Sequence, residues 1–173
     1  GHGAIADLQH CFGKTVSVAT QNIDGLHEKA GSTAVHAVHG TMATSTCSRC
    51  GDEQLTTTLW PDVAAGAIPR HALCGGVYKP DIVFFGEMLP MKALKDAENS
   101  IHAADLVLVL GTSLTVYPAA MLPGYRQAGV PVVVINRTET SLDAGAALVF
   151  HTSVGDILPA AVACLQDEGV RPR

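Results

Sequence analysis

A doubly wound α/β sheet carrying a small metal-stapled insertion is the fold that this sequence predicts, and three observations predict it. Short runs of β-branched and other apolar residues recur along the chain and stop abruptly at small or polar residues. Segments that read as helices separate them, which is the alternation expected of parallel strands joined by helical crossovers. One stretch, residues 44–78, breaks the rhythm by gathering cysteines, glycines and prolines without clear periodicity.

In chain order, the first run is Val16–Ala19. Apolar side chains on consecutive residues suit a strand buried on both faces. It leads into Thr20-Gln21-Asn22-Ile23-Asp24-Gly25-Leu26-His27, where Asp24 and Gly25 have the chemistry of a turn. In the irregular stretch Cys47 and Cys50 form a C-x-x-C pair, 20 residues follow, and His71 with Cys74 makes an H-x-x-C pair. That is zinc-ribbon spacing with histidine at the third ligand position, and a closed four-ligand site of this kind is structural. Ile82–Phe85, read by itself, is one more buried strand.

The remaining elements alternate. Met91–Ala104 reads as a helix, and Leu106–Leu110 as a strand that runs into Gly111-Thr112-Ser113. Pro118–Ala128 reads as a helix opened by its proline, and Val132–Ile135 as a strand that runs into Asn136-Arg137. Leu148–Phe150 is the last strand, Asp156–Gln166 the last helix, and 167–173 a tail. The organisation expected is a main domain of residues 1–43 and 79–166 with the insertion 44–78 set into it.

Composition narrows the function. At 173 residues with 47% hydrophobic content the chain can bury one sizeable core. The formal net charge is -5 and the 11 basic residues form no run, so a nucleic-acid-coating surface is not expected. No apolar stretch approaches the roughly 18 residues needed to span a bilayer, and the start lacks a signal-peptide layout, so the expectation is a cytoplasmic protein with no membrane partner. Five cysteines, an odd count, favour metal ligation over disulfides in a reducing compartment.

In an open parallel sheet, ligands bind beyond the carboxyl ends of the strands. Three strand ends here are polar: the segment after Val16–Ala19, Gly111-Thr112-Ser113, and Asn136-Arg137. Gly111 lets backbone approach a nucleotide, Ser113 offers a hydroxyl and an amide, and Asn136 can both donate to and accept from a ribose diol. Each loop alone reads equally well as ordinary turn chemistry, and no G-x-G-x-x-G fingerprint is present.

Six segments in order make the pattern specific: TQNIDGLH (Thr20–His27), Val38-His39-Gly40, CSRC (Cys47–Cys50), KPDIVFFGE (Lys79–Glu87), GTSLTVYPAA (Gly111–Ala120) and VVVIN (Val132–Asn136). Together they resemble the sirtuins, from about Lys14 to Val162. The resemblance implies a Rossmann-like NAD domain with a small zinc module, an acyl-lysine protein or peptide as partner, and NAD as co-substrate. It implies deacylation that yields nicotinamide and O-acyl-ADP-ribose. His39 would then be the general base, since a neutral imidazole accepts a proton near physiological pH. Gln21, Asn22 and Asp24 would surround the nicotinamide and its ribose, with Asn22 and Asp24 orienting the ribose and a water. Gly111, Thr112, Ser113, Asn136 and Arg137 would hold the rest of the cofactor. Val83 and Phe84 would line the passage for the lysine stem, and Gly86 and Glu87 would meet the peptide. Cys47, Cys50, His71 and Cys74 would hold structural zinc, although the family usually has cysteine where His71 stands. His27 and His36 read as structural.

The glycine-rich loop, Phe-Arg pair and cofactor loop with which sirtuins normally begin do not occur before His10. The chain by itself is therefore expected to lack efficient catalysis. Two other readings stay open: a non-catalytic NAD or ADP-ribose binding module, and an ADP-ribosyltransferase.

Overall fold

The computed structural model describes residues 1–167, so the expected tail lies, from residue 168 on, outside the described residues. The chain forms two compact units. Among the described residues the first holds Gly1–Ala19, Leu26–His36 and 92–167; the second holds Thr20–Gly25 and Ala37–Met91.

The first unit is built on three parallel strands, β6 (Val107–Leu110), β7 (Val132–Ile135) and β8 (Leu148–Phe150), in the order β6-β7-β8. Their apolar runs face both ways, as two separate clusters show. Leu108 and Leu110 pack with Ala4, Ile5, Phe12, Leu158 and Val162, which come from α1 (His2–His10), its exit loop and α5 (Val154–Asp167). Val107 and Val109 pack on the other face with Val132, Val134 and Ile101, the last from α4 (Met91–His102). Helices thus cover the sheet on both sides, which is the doubly wound α/β class.

Short β1 (Val18–Thr20) and β2 (Val35–Ala37), flanking the four-residue helix α2 (Leu26–Lys29), form a ladder of their own. The second unit contains an antiparallel sheet in the order β4-β3-β5, made of β3 (Gly40–Cys47), β4 (Glu53–Leu55) and β5 (Tyr78–Ile82). Helix α3 (Thr56–Ala64) follows β4 and buries none of its residues. Leu55, Trp60, Ile68 and Leu73 are also exposed, so side-chain burial contributes little to holding this stretch together.

Several elements differ from expectation. The segment expected as a helix over Pro118–Ala128 is a 3-10 turn, Ala119–Tyr125. Pro123 has no N–H to donate and Gly124 is a poor helix former, so an α-helix cannot propagate there. The last helix begins at Val154 rather than Asp156, because Ser153 caps it: its hydroxyl accepts from the Gly155 N–H at 3.1 Å. The strand expected at Ile82–Phe85 is instead Tyr78–Ile82. Its partner strand ends at Gly40, and Phe84 and Phe85 emerge exposed in a turn. The first strand lies slightly later than expected, while Val132–Ile135 and Leu148–Phe150 are strands as read. Among the described residues no helix is long and apolar enough to cross a membrane.

Candidate functional site

In the second unit two segments run side by side. Thr20 O accepts from the Val38 N–H at 2.9 Å, and Ile23 O accepts from the Met42 N–H at 3.0 Å. The backbone from 20 to 23 is thereby held along the backbone from 38 to 42, which places Gln21 and Asn22 on the segment that flanks His39. Val38 is fully buried, and His39 O accepts from the Val83 N–H at 2.9 Å, so the histidine backbone is fixed on both sides. Its side chain is half-buried, as is Gln21, whereas Asn22 and Asp24 are exposed. Gly40, next in sequence, has φ +78°, and a Cβ there would sit 1.9 Å from Asp81 O. Only glycine fits. His36 bonds Ser100 Oγ at 3.1 Å and the His27 ring stands edge-on to His2 at 4.6 Å, so both have structural neighbours in the first unit.

In the first unit an open cleft of about 340 Å³ lies at the carboxyl ends of the parallel strands, lined by Gly111, Asn136, Arg137 and Thr152–Gly155. This is within the range of small-ligand sites. Gly111 donates its N–H to Ile135 O at 3.0 Å, which ties the end of β6 to that of β7 and brings Gly111 beside Asn136. Asn136 is only 8% exposed. Its Nδ2 donates to Thr138 O at 2.8 Å and to Thr138 Oγ1 at 3.2 Å, which assigns the amide orientation and leaves Oδ1 as the acceptor. Thr112 and Ser113 do not line this cleft. Thr112 Oγ1 accepts from the Leu114 N–H, and Ser113 Oγ is engaged with Thr115 Oγ1 at 2.8 Å. Leu114 between them takes φ +54°, an uncommon conformation for a residue with a Cβ. The sequence reading missed Thr152–Gly155. The strand-end rule would have found them had it been applied to Leu148–Phe150 as it was to the other runs.

The segment read as peptide-binding is β5 and the turn after it. Lys79 ties the turn down: its ammonium donates to Ile82 O at 2.9 Å and to Glu87 Oε2 at 2.9 Å, and lies 4.9 Å from the centre of the Phe84 ring. Glu87 Oε2 also accepts from the Phe84 N–H at 3.0 Å. That N–H, with Lys79, holds the Glu87 carboxyl below the usual carboxylate range. Val83 is half-buried, while Phe84 and Gly86 are exposed.

Cys47, Cys50, His71 and Cys74 converge, their ligand atoms all within 4.8 Å of one another. The separations are 3.6 Å for Cys47 Sγ to Cys74 Sγ, 3.5 Å for Cys50 Sγ to Cys74 Sγ, 3.5 Å for Cys50 Sγ to His71 Nδ1 and 3.2 Å for His71 Nδ1 to Cys74 Sγ. A tetrahedral zinc with sulfurs at about 2.3 Å and nitrogen at about 2.0 to 2.1 Å requires edges of roughly 3.5 to 3.8 Å. The donor set and its spacing therefore fit a structural zinc. The surroundings act on two of the sulfurs in opposite directions. The Arg49 N–H, then that of Cys50, draws the Cys47 thiol down to about 7. The Asp52 N–H pulls Cys50 down too, but burial and the neighbouring thiols outweigh it and leave that thiol raised. Gly76 closes over the site: a Cβ there would lie 2.5 Å from Cys47 Sγ.

The chain is similar in sequence and fold to known proteins. The model of the Sir2 family matches residues 1–118. An NAD-dependent protein deacetylase of Haloarcula marismortui is 40% identical over 163 residues, covering 93% of this chain and 62% of the relative. An NAD-dependent protein deacylase of Mycobacterium tuberculosis is 42% identical over 163 residues, covering 92% of this chain and 67% of the relative. Among solved structures, a Sir2 complex with p53 peptide and NAD+ superposes with TM-score 0.85 at 35% identity, covering 97% of this chain and 68% of that one. Sir2Tm bound to a propionylated peptide gives TM-score 0.85 at 35% identity, covering 98% of this chain and 70% of that one. The chain thus spans about 62% of the length of its Haloarcula relative. With the α/β sheet, the cleft at its strand ends and the four converging ligand atoms, the match over residues 1–118 establishes that the chain belongs to the Sir2 family.

Proposed function

We propose that the protein to which this chain belongs is an NAD-dependent protein-lysine deacylase, releasing nicotinamide and forming O-acyl-ADP-ribose. The observation that carries this reading is the placing of His39 beside the 20–23 segment, by the Val38 N–H bond to Thr20 O on one side and the Val83 N–H bond to His39 O on the other. Relatives bearing that activity in their names, and Sir2 structures holding acylated peptide, support it. In this reading residues 1–43 and 79–166 form the NAD-binding part, and 44–78 the zinc-bearing insertion.

The roles follow from what each group can do. NAD supplies an electrophilic ribose carbon with nicotinamide as leaving group, and the acyl oxygen of the lysine attacks it. Gln21, Asn22 and Asp24 hold the nicotinamide ribose and orient it, polar groups that steady developing charge without becoming nucleophiles. His39 accepts the proton of a ribose hydroxyl. Gly111, Thr112, Ser113, Asn136 and Arg137 hold the other end of the cofactor. Asn136 presents an acceptor, Oδ1, which suits the hydroxyl of a ribose. Val83 and Phe84 line the path of the lysine stem. Gly86 and Glu87 shape the turn that meets the peptide. An edge strand such as β5 can pair with the backbone of an extended peptide. Zinc, held by Cys47, Cys50, His71 and Cys74, organises the insertion and takes no part in the chemistry. None of the five cysteines forms a disulfide, which accords with a cytoplasmic location.

The test is nicotinamide release from NAD, measured with and without an acetyl-lysine peptide, on this chain and on the chain with a relative's amino-terminal segment restored. Release that needs the peptide, in the restored protein, supports deacylation. Peptide-independent release with ADP-ribose attached to protein would replace it by ADP-ribosyl transfer. Tight ADP-ribose binding with no release in either form would reduce the protein to a binding module.

A further inference from the structure

Histidine replaces the cysteine usual at the third ligand position, and the surroundings of its ring show what supports the exchange. His71 Nδ1 faces the sulfurs, 3.2 Å from Cys74 and 3.5 Å from Cys50. The other nitrogen, Nε2, points away from them and lies 3.9 Å from Asp52 Oδ2. This gap exceeds a direct hydrogen bond and is too narrow for a bridging water, so a bond between the two requires a small movement of the ring toward the carboxylate.

The carboxylate is held in place independently of the histidine. Its Oδ2 accepts from Tyr78 OH at 2.6 Å and from Gln54 Nε2 at 2.9 Å, and the Asp52 carbonyl accepts from the Cys47 N–H at 2.8 Å. Tyr78 is buried at the start of β5, with its ring edge-on to His71 at 6.0 Å. Gln54 is on β4 and Cys47 ends β3, so two strands of the sheet hold the carboxylate and the third holds the backbone of the same residue. Cysteine at position 71 would have no use for it, because a thiolate ligand has no second donor to direct.

We propose that Asp52 is the positioning residue for His71, receiving Nε2–H so that Nδ1 is the unprotonated nitrogen turned toward the metal. Neutral imidazole carries one proton and one ring lone pair, and a hydrogen bond at one nitrogen decides which tautomer is present. A carboxylate in that place also strengthens the ligand nitrogen as a donor. The inference rests on zinc occupying the four-ligand site and goes beyond it, since it assigns a role to a residue outside the ligand set.

The test is zinc affinity, by competition with a chromophoric chelator, for the wild-type chain, Asp52→Asn, His71→Cys and the double variant. Asparagine keeps the shape and an acceptor for Tyr78 but removes the charge. Loss of such a partner typically weakens metal binding by about 10- to 100-fold, and that drop is expected for Asp52→Asn in the wild-type background. In the His71→Cys background the same change should have an effect below about threefold, because the group that Asp52 positions is gone. Equal losses in both backgrounds would make Asp52 a support of the sheet and overturn the proposal, as would no loss in the wild-type background. If the wild-type chain takes up no zinc, the metal site itself fails and the proposal falls with it. Ring nitrogen NMR of the zinc-loaded wild-type chain gives a reading that needs no variant to fold. A proton on Nε2 with metal-shifted Nδ1 is expected, and ligation through Nε2 would overturn the assignment.

Discussion

Among the described glycines, Gly40 is the one at which an added Cβ would meet a neighbouring atom most closely, so Gly40→Ala is expected to be costly. Gly40 is buried, and an alanine Cβ would be placed 1.9 Å from Asp81 O and 2.9 Å from Asp81 C, both backbone atoms. No rotamer change relieves such a contact, so β3 and β5 must separate locally, where Gly40 pairs with Ile82. The φ of +78° adds about 1 to 2 kcal/mol for a residue with a Cβ. Overpacking adds typically about 1 to 3 kcal/mol. Separation also strains the bond from the Val83 N–H to His39 O, worth about 1 kcal/mol. A destabilisation of roughly 3 to 6 kcal/mol follows, a large part of the stability of a domain. The assay is denaturant unfolding of the zinc-loaded chain followed by circular dichroism, with Gly66→Ala as control. Gly66 has nearly the same φ, +77°, and nothing within 4 Å of its Cβ position, so it reports the conformational cost alone. If the two variants unfold within about 0.5 kcal/mol of each other, the close approach of the Asp81 carbonyl is not what demands glycine.

Other expectations are as direct. His39→Ala in the length-restored protein should abolish deacylation while its melting temperature and ADP-ribose affinity stay close to wild type; near-normal turnover would remove His39 from the mechanism. Gly76→Ala pushes on Cys47 Sγ and on Arg49 Cβ, 2.5 and 2.6 Å from the new Cβ, and should raise the zinc dissociation constant at least about tenfold by chelator competition. Unchanged zinc binding would show that the loop yields freely. Glu87→Gln should lower stability at neutral pH. Because the folded carboxyl is held below its ordinary value, this contribution is present above the unfolded value near ~4.3 and is lost as pH falls through the lower folded value. The difference between the two proteins should therefore vanish in acid, and a gap that persists there would have another origin. Asn136→Asp keeps an acceptor toward the cleft but sets a carboxylate oxygen against Thr138 O, now 2.8 Å from Nδ2. It should lose ADP-ribose affinity as fully as Asn136→Ala, and intact binding by the aspartate variant would remove the Thr138 anchor from the explanation.

What the sequence showed and what it hid divide along a physical line. The strand Val132–Ile135 was legible because burial on both faces demands consecutive apolar residues, a requirement local enough to appear in four letters; Leu148–Phe150, at the sheet edge with Leu148 exposed, was legible from its β-branched and aromatic run alone. The convergence of Cys47, Cys50, His71 and Cys74 was legible because metal ligands come in short pairs at fixed spacing. The 3-10 turn at Ala119–Tyr125 was misread although its cause, Pro123 with Gly124, stands in the sequence; an apolar segment after a proline resembles a helix start until the second proline is weighed.

The groups that hold the site in shape were the hardest to see, because each acts across a distance that sequence order does not encode. Lys79 meets Glu87 eight positions away only because the chain turns between them, and the partners that reach Asp52 arrive from three different strands. Asp52 belongs to no spacing pattern, and the segment that contains Lys79 and Glu87 does not by itself show that the two pair. In both cases a charge has a fixed partner, and the partner places a neighbouring group: Lys79 and Glu87 shape the turn that carries Phe84, and Asp52 faces the ring of His71. A charged side chain half-withdrawn from water is costly unless it is paired, so its presence there implies such a partner. The implication is empty until the fold names the partner, since any of the 16 acidic residues could stand in a sequence beside any of the 11 basic ones. Residue type and motif thus suggested which groups the proposed chemistry would use, while the constraints that hold those groups became readable only from the strands that carry them.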